Sequence, residues 1–148
     1  MKAVLTACLS LMLLVVASAP AQANSDVHLS GGGTATISQV AFNVAIDTGG
    51  GASGSFQCLM AGRSVGAIEG MGLEHVMKVE AHPSAGYVTS GPVVHFSGPG
   101  FLIMDGSKMR AIHVSVWANV ATQQFRLTVV EVGAMPVERM LTGHFDLR

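Results

Sequence analysis

The chain has 148 residues with eight Lys or Arg and nine Asp or Glu, a formal net charge of −1. That balance offers no basic footprint for nucleic acid or for an anionic membrane surface. Hydrophobic residues reach 49%, but a leader contributes part of this excess, so the composition does not argue for membrane insertion. Lys2 supplies a positive start, Val4 to Ala17 is an apolar run, and Ala21-Gln22-Ala23 is a small-x-small cleavage site. Together they mark residues 1–23 as a signal peptide cut between Ala23 and Asn24. The run is too short for a membrane span. Leu5-Thr6-Ala7-Cys8 has the composition of a lipoprotein box but lies at the start of the apolar run instead of after it. We read it as chance.

What remains, residues 24–148, is long enough to bury a single core without covalent staples. Of the two cysteines only Cys58 survives cleavage, so no internal disulfide is expected. Cys58 stands between Phe56 and Met60 at period 2, which marks it as a small buried hydrophobe.

In chain order, Asn24 to Ser30 reads as a loose lead-in and Gly31-Gly32-Gly33 as a flexible opening. Thr34 to Asp47 reads as a strand with Val40, Phe42, Val44 and Ile46 on one side. The glycine-rich turn from Thr48 to Gly54 then joins it to a second strand, Ser55 to Met60, as a hairpin. Gly49, Gly51 and Gly54 match the dinucleotide pattern G-x-G-x-x-G, yet they join two strands and do not open a helix, so the match fails on context. Ala61 to Met71 carries no clear pattern. Leu73 to His82 fits a strand better than a short helix, and Pro83 ends it. Tyr87-Val88-Thr89 leads into the longest apolar stretch, which Gly98-Pro99-Gly100 should break at a bend. Asp105-Gly106 marks a turn. Ile112, Val114, Val116 and Ala118 alternate with His113, Ser115 and Trp117, and Phe125, Leu127 and Val129 alternate with Arg126 and Thr128. After a turn at Val132 to Pro136, Glu138 to Arg148 forms the last strand. The fold class is therefore all-β, a single antiparallel β-sandwich or small β-barrel of about seven to eight strands.

Catalytic chemistry has little to rest on. Six histidines show no H-E-x-x-H spacing and no cysteine partner for a zinc site. A triad of Ser115, His113 and Asp146 can be written on paper, but Ser115 and His113 share one strand face without an oxyanion turn. No catalytic residue, cofactor or metal site is assigned, and we expect a protein that is not an enzyme.

The motif order Gly31-Gly32-Gly33, Phe42-Asn43-Val44, Gly54-Ser55-Phe56, Phe96-Ser97-Gly98-Pro99-Gly100, a Val-rich strand and Gln124-Phe125-Arg126-Leu127 resembles the post-COAP type glycine-rich β domain of bacterial secreted and surface proteins. The resemblance spans most of the chain after the leader. It implies an exported β module and carries no catalytic residues.

His113, Ser115 and Trp117 form a stripe opposite the aliphatic face of their strand. An outward tryptophan on a β surface is a place for contact with protein or carbohydrate. Two functions stay open: a secreted or periplasmic structural or interaction module with an unidentified partner, or a small lipocalin-like barrel holding an apolar ligand. An outer-membrane barrel is disfavoured, because one Trp and one Tyr cannot make aromatic girdles.

Overall fold

A computed structural model describes residues 26–61 and 76–148. The expected leader and its cleavage site, together with the unpatterned segment after Ala61, lie outside the described residues. The described chain is all β. Its strands are β1 (Val27–Ala35), β2 (Gln39–Ile46), β3 (Ala52–Ala61), β4 (Val76–Ala81), β5 (Ala85–Thr89), β6 (Val93–Met104), β7 (Ser107–Asn119), β8 (Gln124–Val129), β9 (Gly133–Ala134) and β10 (Glu138–Leu147).

All pairings are antiparallel. Neighbours run β10-β1-β2-β3-β4-β6-β7-β8, and β10 also pairs with β8, so the sheet returns on itself in a barrel-like ring. β5 continues the line of β4 along β6, and β9 is a two-residue appendage on β8. Eight lines of strand thus form the wall. The β8–β10 seam is short, with Glu138 opposite Phe125 and Arg139 opposite Gln124. By contrast, β1 and β10 are matched from Leu29 and Leu147 to Ala35 and Met140.

Period-2 patterning decides which side chains go inside. Val40, Phe42, Val44 and Ile46 of β2, Phe56 and Cys58 of β3, Ile112, Val114 and Val116 of β7, and Phe125, Leu127 and Val129 of β8 are all buried. Phe42 lies at the centre, its ring within 4.9–6.4 Å of Phe56, Phe96, Phe125 and Phe145. Tilted and edge-on ring pairs of this kind add about 0.5–1.5 kcal/mol each beyond their buried area. Asn43, Gln57 and Arg126, between the buried positions, are exposed. Apolar residues point in and polar ones out, the reverse of a lipid-facing barrel.

Two expectations need correcting. From Val27 onward the expected lead-in, and with it the glycine triplet, belongs to β1, a strand paired on both sides. Gly31 lies in register between Phe42 and Phe145, and a Cβ there would come within 2.3 Å of the His144 carbonyl oxygen. Tertiary pairing, with its need for bare backbone, overrides the local preference of glycine for turns. Likewise Gly98-Pro99-Gly100 does not break the chain, because β6 runs through it without interruption. Pro99 faces His113 on β7, whose own N–H and carbonyl turn the other way, to Glu131 and Val130. The donor that proline lacks is therefore directed at the gap between β4 and β5, where no regular ladder runs. His82 N–H still reaches the Pro99 carbonyl at 2.9 Å. The break falls instead in the neighbouring line, at Pro83.

The Thr48–Gly54 turn is also shorter than its glycines imply, since β3 begins at Ala52. Strand character holds over Val76–Ala81. The Asp105-Gly106 turn has φ of 48° and 79°, the left-handed pair that a two-residue hairpin requires.

Candidate functional site

The outer wall of β5 to β8 carries one continuous row of large side chains. Register places Tyr87 opposite His95, His95 opposite Trp117, and Trp117 opposite Arg126. Adjacent strands lie about 4.8 Å apart, so the row extends over about 14 Å. Tyr87 and His95 are stacked, with centroids 4.7 Å apart and planes 10° from parallel. Tyr87 is 57% exposed, an unusual outlay of aromatic surface for a residue with no core role. Trp117 is half-buried, which fixes its ring against the wall.

Beside this row lies an open groove of about 340 Å³ lined by His95, Ser115, Trp117, Arg126, Thr128 and Val137. Ser115 and Thr128 sit opposite each other in the next row along the same strands. Val137, from the segment before β10, forms the far lip. Two larger depressions of about 500 Å³ exist elsewhere. Neither is lined by an aromatic ring, and Lys78 of the first is already paired with Glu80 at 2.6 Å. The smaller groove has the more complete chemistry: an aromatic platform, two hydroxyls and a cation.

All three stripe residues occupy the outer wall, but the structure divides them. Ser115 and Trp117 line the groove. His113 is exposed, and its N–H donates to both oxygens of Glu131, at 2.9 and 3.1 Å, with its ring at 3.3 Å. Desolvation, the largest single influence, pushes the Glu131 carboxyl up, but the hydrogen bonds from its own backbone and from the backbone and ring of His113 together outweigh it and hold the group below its ordinary 4.5. The paper triad does not assemble, since His113 takes Glu131 and Asp146 takes His144 at 3.1 Å. Sequence reading missed Tyr87, His95, Arg126, Thr128 and Val137 as members of the face. The outward phase of Arg126 and Thr128 was legible from their alternation, but the adjacency of all five to Trp117 depends on cross-strand register and, for Val137, on the segment before β10.

A second polar cluster is internal. Glu138 and Ser38 are 2% and 5% exposed. Glu138 accepts hydrogen bonds from the Ser38 hydroxyl at 2.8 Å and from the Ile37 N–H at 3.1 Å, which fastens the β1–β2 turn to the start of β10. Burial pushes the adjacent Cys58 thiol up to about 12, opposed by a hydrogen bond from Ser38 and assisted by the charge of Glu138. A thiol so held stays protonated and is a poor nucleophile. Among the described residues, no three His, Cys, Asp or Glu side chains converge as a metal-ligand set, and no helix is long and apolar enough to cross a membrane.

No protein-family model matches the chain, and no curated protein or solved structure matches it either. The class that fold and site define is an antiparallel, barrel-like β domain with a filled core and an aromatic outer face.

Proposed function

We propose that this protein is an exported bacterial interaction module, without catalytic activity, that holds a partner at the cell surface through the outer wall of β5 to β8. The row Tyr87–His95–Trp117–Arg126 carries this reading. It places three rings and a guanidinium in one row on the outer wall, outside the buried core. The tripartite leader supports export to the periplasm or beyond. The post-COAP resemblance fits a β module of bacterial surfaces. The apolar-ligand carrier is the weaker reading, because a carrier needs vacant interior space and the centre of this barrel is occupied by the rings packed around Phe42.

The test is retention on isolated envelopes of the producing cells. The wild-type protein should sediment with them. A Tyr87→Ser, Trp117→Ser double variant of unchanged melting temperature should stay in the supernatant. Equal sedimentation of the two would sink the proposal. Mass spectrometry of the exported protein should find Asn24 at its N-terminus.

A further inference from the structure

We infer that the groove beside Trp117 is a binding site for a carboxylated saccharide, a chain of uronic-acid type. The inference deepens the surface-module reading and rests on it. Three features of the groove converge on this ligand class.

The first is the platform. Tyr87, His95 and Trp117 follow one another across adjacent strands. Tyr87 and His95 are stacked face to face, which braces His95, and His95 and Trp117 line the groove itself. Aromatic faces carry negative quadrupole density and attract the polarised C–H bonds of a sugar ring laid flat on them. Trp117, in the groove beside the braced His95, suits a pyranose ring.

The second is the pair of hydroxyls. Ser115 and Thr128 face each other one row from the platform, and among the described residues neither side chain has a hydrogen-bond partner. A hydroxyl both donates and accepts, which matches the donor-acceptor character of sugar hydroxyls.

The third is Arg126, which decides the charge of the ligand. It is exposed at the end of the row, and among the described residues no carboxylate lies within ion-pair distance. Glu131, an acid on the same side of the barrel, is already engaged by His113. A planar guanidinium left open beside an aromatic platform matches a carboxylate with two parallel hydrogen bonds. A neutral glycan would leave that cation unanswered.

An acidic peptide is the competing occupant, and the strand pairing argues against it. Extended peptides gain affinity by adding a strand to a free edge. The strands that line the groove have no such edge: β6 and β7 are paired on both sides, and β8 is flanked by β7 and by β9 and β10. The open edge of β5 lies beyond His95, outside the groove lining. A saccharide needs no such ladder. The groove, about 340 Å³, falls at the small end of the range of about 300–1,000 Å³ typical of small-ligand sites.

Trp117 is the only tryptophan, so its emission reports on the groove directly. The purified protein is titrated with trigalacturonate and, in parallel, with neutral maltotriose. Trigalacturonate should change the emission saturably, maltotriose should not at the same concentrations, and raising salt from about 50 mM to about 500 mM should weaken binding. Arg126→Gln should weaken binding about tenfold or more, with Arg126→Lys between the two, since lysine keeps the charge but not the fork. Unchanged melting temperatures would show that the variants fold. Equal binding of the two sugars, an unaffected Arg126→Gln variant, or no saturable response to trigalacturonate would each overturn the inference. Envelope retention separates this failure from that of the module. If the Tyr87, Trp117 double variant loses retention while trigalacturonate does not compete with the wild type for the envelope, only the ligand class is wrong.

Discussion

Gln123 binds both backbone groups of Phe145: its Oε1 accepts the Phe145 N–H at 3.0 Å and its Nε2 donates to the Phe145 carbonyl at 2.9 Å. The same Nε2 reaches the Val120 carbonyl at 2.7 Å. The carboxamide thus imitates a piece of strand at the seam where β8 and β10 share only two residue pairs. We predict that Gln123→Ala lowers stability by about 2–3 kcal/mol, because it leaves partly buried backbone groups unpaired. Gln123→Glu keeps the acceptor and loses the donors, so it should also destabilise. Urea unfolding of the three proteins measures both effects, and an alanine variant as stable as the wild type would show that water closes the seam equally well.

Cys58 gives the folded protein an alkaline limit. Its thiol titrates at about 12 instead of its ordinary 9.0, chiefly because it is buried. The unfolded chain therefore loses a proton above pH 9 that the folded chain keeps. The resulting stability is full below pH 9 and falls by about 1.4 kcal/mol per pH unit from there toward pH 12. Cys58→Ala should remove this slope, at the expense of about 1 kcal/mol at neutral pH for the lost packing. Thiol labelling of the native protein should be slow and should become fast on denaturation. Parallel alkaline slopes for wild type and variant would count against this account.

Glycines in this protein fall into two energetic classes. Gly31 has φ of 131° and a neighbouring carbonyl oxygen where a Cβ would go, whereas Gly91 has φ of 81° and nothing within 4 Å. Gly31→Ala should destabilise by about 3 kcal/mol or more, adding a steric clash to backbone strain. Gly91→Ala should lose about 1 kcal/mol, from backbone strain alone. Thermal melts of the two variants check the ranking. Equal losses would mean that β1 can shift away from β10.

The packed interior predicts indifference to apolar ligands. Titration with a fluorescent apolar probe and with long-chain fatty acids should give no saturable one-to-one binding and no ligand-dependent rise in melting temperature. A rise that grows with fatty-acid concentration would revive the carrier.

The core was legible in the sequence because alternation is a local property. Every residue from Val40 to Ile46 and from Ile112 to Val129 that the pattern points inward is buried in the fold. The aromatic outer face was legible only in part. Trp117 and Ser115 could be assigned an outward phase, but their neighbour His95 could not be matched to them. Carried straight back from the two-residue Asp105-Gly106 turn, the register would set His95 against Val116, an inward residue. A bulge shifts the pairing between Leu102 and Ile103, so His95 meets Trp117 instead. One extra residue in a strand assembles the row, and it shows only when the phases of both strands are compared with the turn that joins them. The glycine-rich motifs misled for a related reason. Local sequence reports that a backbone is bare, and only the tertiary fold determines whether bareness serves a turn or a close strand contact.

Ring closure also sets an order of events for the growing chain. β1, near the start of the described fold, has β10 at the far end of the chain as one of its two neighbours, and His28 and Arg148 exchange backbone hydrogen bonds at 2.8 and 3.0 Å. No amount of early synthesis can provide that neighbour. Until β10 arrives, β1 presents an open edge and the rings around Phe42 lack Phe145. The loop to be closed spans almost the whole domain, an entropic demand that slows folding. β10 therefore acts as a latch on maturation: a chain in which β10 has not yet been made stays unsealed.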